Sequence, residues 1–142
     1  MKLNRRVRGI IIDKGKILLI HRIKNGEEFY SIPGGGIEVD ETDKETLIRE
    51  IREETNLDVE IFSELFHHEW YDEVRDETKN FIFFLIEKYR GSDIKIGGPE
   101  LERHCDENQY LPEWHDFEKF FDLPNYYQPE VLRRLKELII QK

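Results

Sequence analysis

Cysteine is almost absent: Cys105 is the only one in 142 residues, so the chain cannot close an internal disulfide. Long apolar runs are missing too, and none approaches the roughly 20 residues that cross a bilayer as a helix. The opening MKLNRRVRG lacks the apolar centre of a secretory leader. Together these absences set the expectation of a cytoplasmic protein with no membrane partner. Positive charge is also short: 22 Lys and Arg stand against 31 Asp and Glu, a net charge of −9. Nonspecific nucleic-acid binders usually carry a basic stripe that neutralises phosphates, so that class is not expected. Repeats, low-complexity tracts and linkers are missing as well, and residues 1–142 read as a single domain.

What is present is a set of dense apolar runs, GIIID, ILLI and NFIFFLI, too concentrated for a disordered chain. RRVRGIIID and KILLIHRI read as two strands of a hairpin turning at DKGK. FYSI reads as a short strand leading into Pro33 and a loop of three glycines, Gly34, Gly35 and Gly36. Thr42 to Thr55 is the best helix, with Thr42 as its cap and Glu45 placed to complete a capping box. DVEIFSELFHHEWY and KNFIFFLIEKY read as strands around a charged turn, and NQYLPEW as a shorter one. Helices are expected around DFEKFF and from Pro129 to Gln141, where Val131, Leu132, Leu135, Leu138 and Ile139 recur at helical spacing. The order predicts an α/β (α+β) layered domain, a mixed β-sheet with helices packed on it.

Ser31 to Leu57 combines those glycines with eight carboxylates between Glu38 and Glu54. On a helix, Glu50, Glu53 and Glu54 share one face beside the apolar stripe of Leu47, Ile48 and Ile51. Two unit charges about 4 Å apart repel by on the order of 4 kcal/mol at an effective dielectric near 20. Arg49, four residues before Glu53, can orient it, but one guanidinium cannot neutralise three acids, and this many hard oxygens suit Mg²⁺ or Mn²⁺. Taken alone, LIREIREET would be an ordinary solvated helix face. The glycines directly before it, which let backbone approach an ion or ligand closely, turn the pair into a candidate site.

The segment resembles the signature of the Nudix hydrolases, G-x5-E-x7-R-E-U-x-E-E-x-G-U with U a bulky aliphatic. Gly35, Glu41, Arg49, Glu50, Ile51, Glu53, Glu54 and Leu57 match, eight of nine defined positions. The departure is Asn56, where the pattern has Gly; Asn is the residue that best replaces Gly in a left-handed helix terminus. The resemblance, MutT-like, implies an αβα sandwich and a pyrophosphohydrolase that cleaves a nucleoside diphosphate linked to another group X with Mg²⁺ or Mn²⁺. It implies Glu50, Glu53 and Glu54 as metal ligands with the carbonyl of Gly35, Glu53 as the candidate to position the attacking water, Arg49 to orient Glu53, and Glu41 to tie the loop to the helix. Gly34 and Gly36 would shape that loop.

Outside the signature the resemblance is weaker. Arg22, closing KILLIHR, matches an arginine that reaches substrate phosphate, or is a surface residue at a strand end. Glu107 matches a further acid, a metal ligand or base, beside Asp106; loop acids are otherwise simply solvated. Trp70 and Tyr71 lie where base-recognising aromatics occur, or cover the sheet, and Trp114 reads as core. His67, His68, His104, Cys105 and His115 match no common zinc spacing. The isopentenyl-diphosphate isomerase branch needs a cysteine before the signature, where this chain has Ile32 and Pro33. A different class stays open: a module that senses a nucleotide on the same fold without cleaving it. A nucleotide is the expected small-molecule partner, and monomer and homodimer are both compatible with the sequence.

Overall fold

The computed structural model describes residues 2–97, 105, 107–120 and 129–140. β1 (Lys2–Asp13) passes through Lys14 and Gly15, both at positive φ, into β2 (Lys16–Lys24), the turn conformation that follows the natural twist of paired strands. The expected hairpin forms, but only Ile12 with Ile17 and Asp13 with Lys16 pair across it. Each strand finds other partners. From Arg5 to Ile11, β1 runs parallel to β6 (Glu77–Arg90), and its other edge pairs antiparallel with β4 (Gly34–Glu38). β2 is flanked antiparallel by β3 (Glu27–Ser31) and β7 (Asn108–Asp116), and β5 (Asp58–Asp72) pairs antiparallel with β6.

The mixed sheet is as the sequence led one to expect, but the glycines correct it. Gly34 to Gly36 are not a loop: they are a strand, paired with Arg8, Val7 and Arg6. Gly34 sits at φ +151°, and a Cβ there would stand 1.9 Å from the Val7 carbonyl oxygen. Glycine is required for close approach within a ladder rather than for a turn. β7 is longer than NQYLPEW suggested, and it holds Pro112 on a strand whose one strand partner among the described residues is β2, the kind of edge position where proline is found in sheets.

Alternation sorts the apolar side chains onto two faces. Val7 and Ile11 of β1 join Ile82, Phe84 and Ile86 of β6 under α1 (Asp43–Thr55), whose Leu47 and Ile51 complete that cluster. Ile10, Phe81 and Phe83 point to the other face, with Phe120 of α2 (Phe117–Phe120) and Val131 and Leu135 of α3 (Pro129–Ile140). Gln141 and the side chains of Leu132 and Ile139 lie outside the described residues, and Leu138 is exposed rather than part of the packed stripe. None of the described helices is long and apolar enough to cross a membrane.

α1 carries its predicted ends. Thr42 accepts from the Glu45 N–H (3.1 Å) while Glu45 accepts from the Thr42 N–H (3.0 Å), closing the capping box. Asn56 adopts the left-handed conformation (φ 67°, ψ 20°) and donates its N–H to the Arg52 carbonyl, 2.9 Å. Its side-chain amide donates to the carbonyl of Asp93 (2.8 Å), a bond that glycine could not make. The helix lies close to the sheet because β1 has a glycine beneath it: a Cβ on Gly9 would stand 2.4 Å from Ile51 Cδ1 and 3.3 Å from Leu47 Cδ1. Gly9→Ala is therefore expected to lower unfolding free energy by about 1–3 kcal/mol through overpacking, read by urea denaturation.

Candidate active site

A cavity of about 560 Å³ opens where β4, the first half of β1, the ends of β2 and β3, and the β5–β6 hairpin meet. At one end stand Glu50 and Glu54, 8% and 6% exposed, brought there because α1 packs across β4. Gly35 makes room for one of them: a Cβ there would lie 2.5 to 2.7 Å from all three carboxyl atoms of Glu50. Glu54 accepts a hydrogen bond from the Gly34 N–H at 3.1 Å. The glycine strand thus serves as the surface against which two buried carboxylates rest.

Arg49 holds the acids together. Its Nε and Nη2 donate to the two carboxylate oxygens of Glu41 at 2.6 and 2.8 Å, a fork-on-fork pair. The remaining Nη1 donates to Glu50 (3.1 Å) and to Glu53 (3.3 Å). Glu41 also accepts from the Thr46 hydroxyl at 3.0 Å and the Glu38 N–H at 3.3 Å, so it fastens the end of β4 to α1. Chiefly through the Arg49 hydrogen bond, its carboxyl is held down at about 2. The guanidinium of Arg49 is correspondingly pushed above its ordinary value by Glu41.

The opposite walls are cationic and aromatic. Arg6, Arg8, Arg22, Arg75 and Lys79 line the cavity against only Glu50, Glu54 and Asp72. Five cations line the cavity against three carboxylates, a local excess of positive charge in a chain of net charge −9. Arg22 lies 3.7 Å from the Tyr110 ring centroid and 5.6 Å from that of Phe29, and donates to the Asn108 side-chain oxygen (2.6 Å) and the Gln109 carbonyl (3.2 Å). Among the described residues no three His, Cys, Asp or Glu side chains enclose an ion as they stand. Arg49 occupies the space between Glu50 and Glu53, and Glu54 is turned to the Gly34 N–H. The donor set still fits a hard divalent cation: carboxylate oxygens on successive turns of one helix face, two of them buried beside a strand that has no side chain to obstruct them.

A model of the NUDIX domain family matches residues 2–135. The chain belongs to the NUDIX domain family. The ADP-ribose pyrophosphatase of Methanocaldococcus jannaschii is 34% identical over 108 residues, 75% of this chain and 63% of that protein, so the chain spans less than two thirds of that relative's length. Two solved structures share the fold: the MutT NUDIX hydrolase of Burkholderia pseudomallei (TM-score 0.70, 19% identity, 92% of this chain and 95% of that one) and the MutT protein of Methanosarcina mazei (TM-score 0.71, 22% identity, 94% and 92%).

On this Nudix frame the sequence candidates separate. Gly34, Gly35, Gly36, Glu50, Glu54 and Arg22 line the cavity, and Arg49 ties Glu41, Glu50 and Glu53 into one group behind it. Tyr71 is not on the wall: strand alternation turns it away, 51% exposed with its hydroxyl bonded to Asp76, and it is Trp70 that faces the cavity. Glu107 is exposed beside the β2–β3 turn, where its carbonyl accepts from the Asn25 N–H (2.7 Å), and is not a lining residue either. His104 and Asp106 lie outside the described residues. Arg6, Arg8 and Lys79, also on the wall, belong to no sequence motif. Their signal was cations at alternate positions of apolar strands, R-x-R in β1 and Lys79 ahead of Phe81 and Phe83 in β6.

Because the Glu41 carboxyl lies below its ordinary 4.5 when folded, its contribution is complete above about pH 5 and is lost as pH falls from 4.5 toward 2. Glu41→Gln is expected to cost about 2 kcal/mol at pH 7, after allowance for solvent screening, with the deficit shrinking across that interval. Urea denaturation of both proteins between pH 2 and 7 measures it.

Proposed function

We propose that this chain hydrolyses a diphosphate linkage in a nucleoside diphosphate joined to another group, with Mg²⁺ or Mn²⁺ as cofactor. The observation that carries the reading is the two-ended cavity, with buried carboxylates against a glycine strand at one end and cations with aromatic faces along the rest. Glu50, Glu53 and Glu54, with the carbonyl of Gly35, would hold the cation. When bound, such an ion neutralises phosphate oxygens and makes a coordinated water more acidic. Arg49 keeps the acids from splaying, and Arg22, fixed by Tyr110 and Asn108, reaches the phosphates from the opposite wall. Glu53, less buried than its two neighbours, is the residue assigned to orient the attacking water.

Support for the class comes from family membership, and the relative named ADP-ribose pyrophosphatase places ADP-ribose in the test panel beside nucleoside triphosphates, dinucleoside polyphosphates and sugar nucleotides. With Mg²⁺ or Mn²⁺, at least one of these should release phosphate-bearing products. Glu53→Gln should reduce turnover by 10² or more while leaving the unfolding midpoint unchanged, as expected on removing a proton-handling group. Retained turnover would take Glu53 out of the essential set. Tight nucleotide binding with no turnover under either cation would favour a sensing module instead.

A further inference from the structure

Lys79 is the most deeply buried cation of the cavity, 8% exposed, and its ammonium is not hydrogen-bonded by any described residue. Its nearest charged partners are Asp72 Oδ2 at 3.7 Å and Glu77 Oε1 at 3.9 Å, distances that balance charge but lie beyond hydrogen-bond reach. Three N–H donors removed from water and left without acceptors are costly, and such groups in a cavity wall are completed by a ligand or by water.

The surroundings define the acceptor. Lys79 pairs with Trp70 across the β5–β6 hairpin, with its ammonium 5.5 Å from the Trp70 ring centroid, and Phe81 lines the cavity one step along the same face. Gly35, Val7 and Ile82 share one row of the sheet, and Gly35 is where Glu50 rests. Lys79 is three residues farther along β6, roughly 10 Å at 3.3 Å per residue. It therefore serves the part of a ligand remote from the carboxylate end. A phosphate there would meet Asp72 and Glu77, which already offset the ammonium charge. A neutral acceptor meets no such repulsion, and the flat apolar surface of Trp70 and Phe81 suits a heterocycle.

We propose that Lys79 is a specificity-determining residue, donating to a ring carbonyl of the substrate's nucleobase, so that this site selects bases bearing a carbonyl over adenine, which has none. The proposal rests on the cavity being a nucleotide site. Guanosine, inosine and adenosine forms of the best substrate discriminate it, because guanine and hypoxanthine carry a 6-carbonyl where adenine carries an amino group. Wild type should prefer the first two in kcat/KM. Lys79→Met should lose about tenfold or more on both, mainly through KM, and less than twofold on the adenosine form. Equal loss on all three, no loss, or inosine behaving like adenosine would overturn the assignment.

Calorimetric titration of GMP, IMP and AMP without added cation should show the same order in wild type and its collapse in Lys79→Met. If no member of the panel is hydrolysed, the proposed activity fails while this titration still decides Lys79. Wild type binding AMP as tightly as GMP refutes the proposal without any variant, so a poorly folding Lys79→Met does not shield it.

Discussion

Taking Glu50 and Glu54 out of water, side by side on one helix, is the constraint from which the surrounding structure follows. Buried carboxylates are tolerable only if hydrogen-bonded and paired with positive charge. The Gly34 N–H meets Glu54, and Arg49 meets Glu50. Arg49 can face inward without wandering because Glu41 grips two of its nitrogens, and Glu41 is in turn held by Thr46 and Glu38. Every one of these groups falls between β4 and α1, so the angle between strand and helix is fixed by charge as much as by apolar packing.

Apolar packing makes the charge arrangement reachable. Gly9 brings α1 down onto β1, Gly35 clears a place for Glu50, and Gly34 permits β4 to run against Val7. These three glycines do different work from the glycines of the turns: a side chain at Gly35 would displace the Glu50 carboxyl on the site's own wall, one at Gly34 would strike the β1 backbone, and one at Gly9 would push against Ile51 beneath α1. The cavity then inherits a division of labour from the sheet. Its acidic end belongs to α1, while its cationic and aromatic walls come from β1, β2, β3, β7 and the β5–β6 hairpin, segments far apart in the chain.

The correction at Gly34 to Gly36 has a general cause. Three consecutive glycines carry no alternation of apolar and polar side chains, so nothing local marks them as a strand, and only the open edge of β1 makes them one. The same reasoning covers Tyr71 and Trp70. Both belong to an apolar-aromatic stretch, and which of two neighbours faces the site depends on register against β6, which is set by pairing partners rather than by composition.

Local pattern alone determined the helix from Asp43 to Thr55 with both its caps, the face on which Glu50, Glu53 and Glu54 meet, the suitability of Asn56 as a terminator, and the family. All but the family depend on residues within a turn or two of one another, where spacing is geometry, and the family on one continuous stretch from Gly35 to Leu57. Tertiary structure alone decided that the glycines pair as β4, that Arg49 bridges three glutamates rather than orienting one, and that Arg6, Arg8 and Lys79 face the carboxylates across a shared cavity. The glycine pairing and the shared cavity join residues separated by tens of positions, and the cavity wall of Arg6, Arg8 and Lys79 exists only once parallel pairing brings β1 and β6 into register, whereas the Arg49 bridge spans at most eight residues but needs Glu41 folded back against α1.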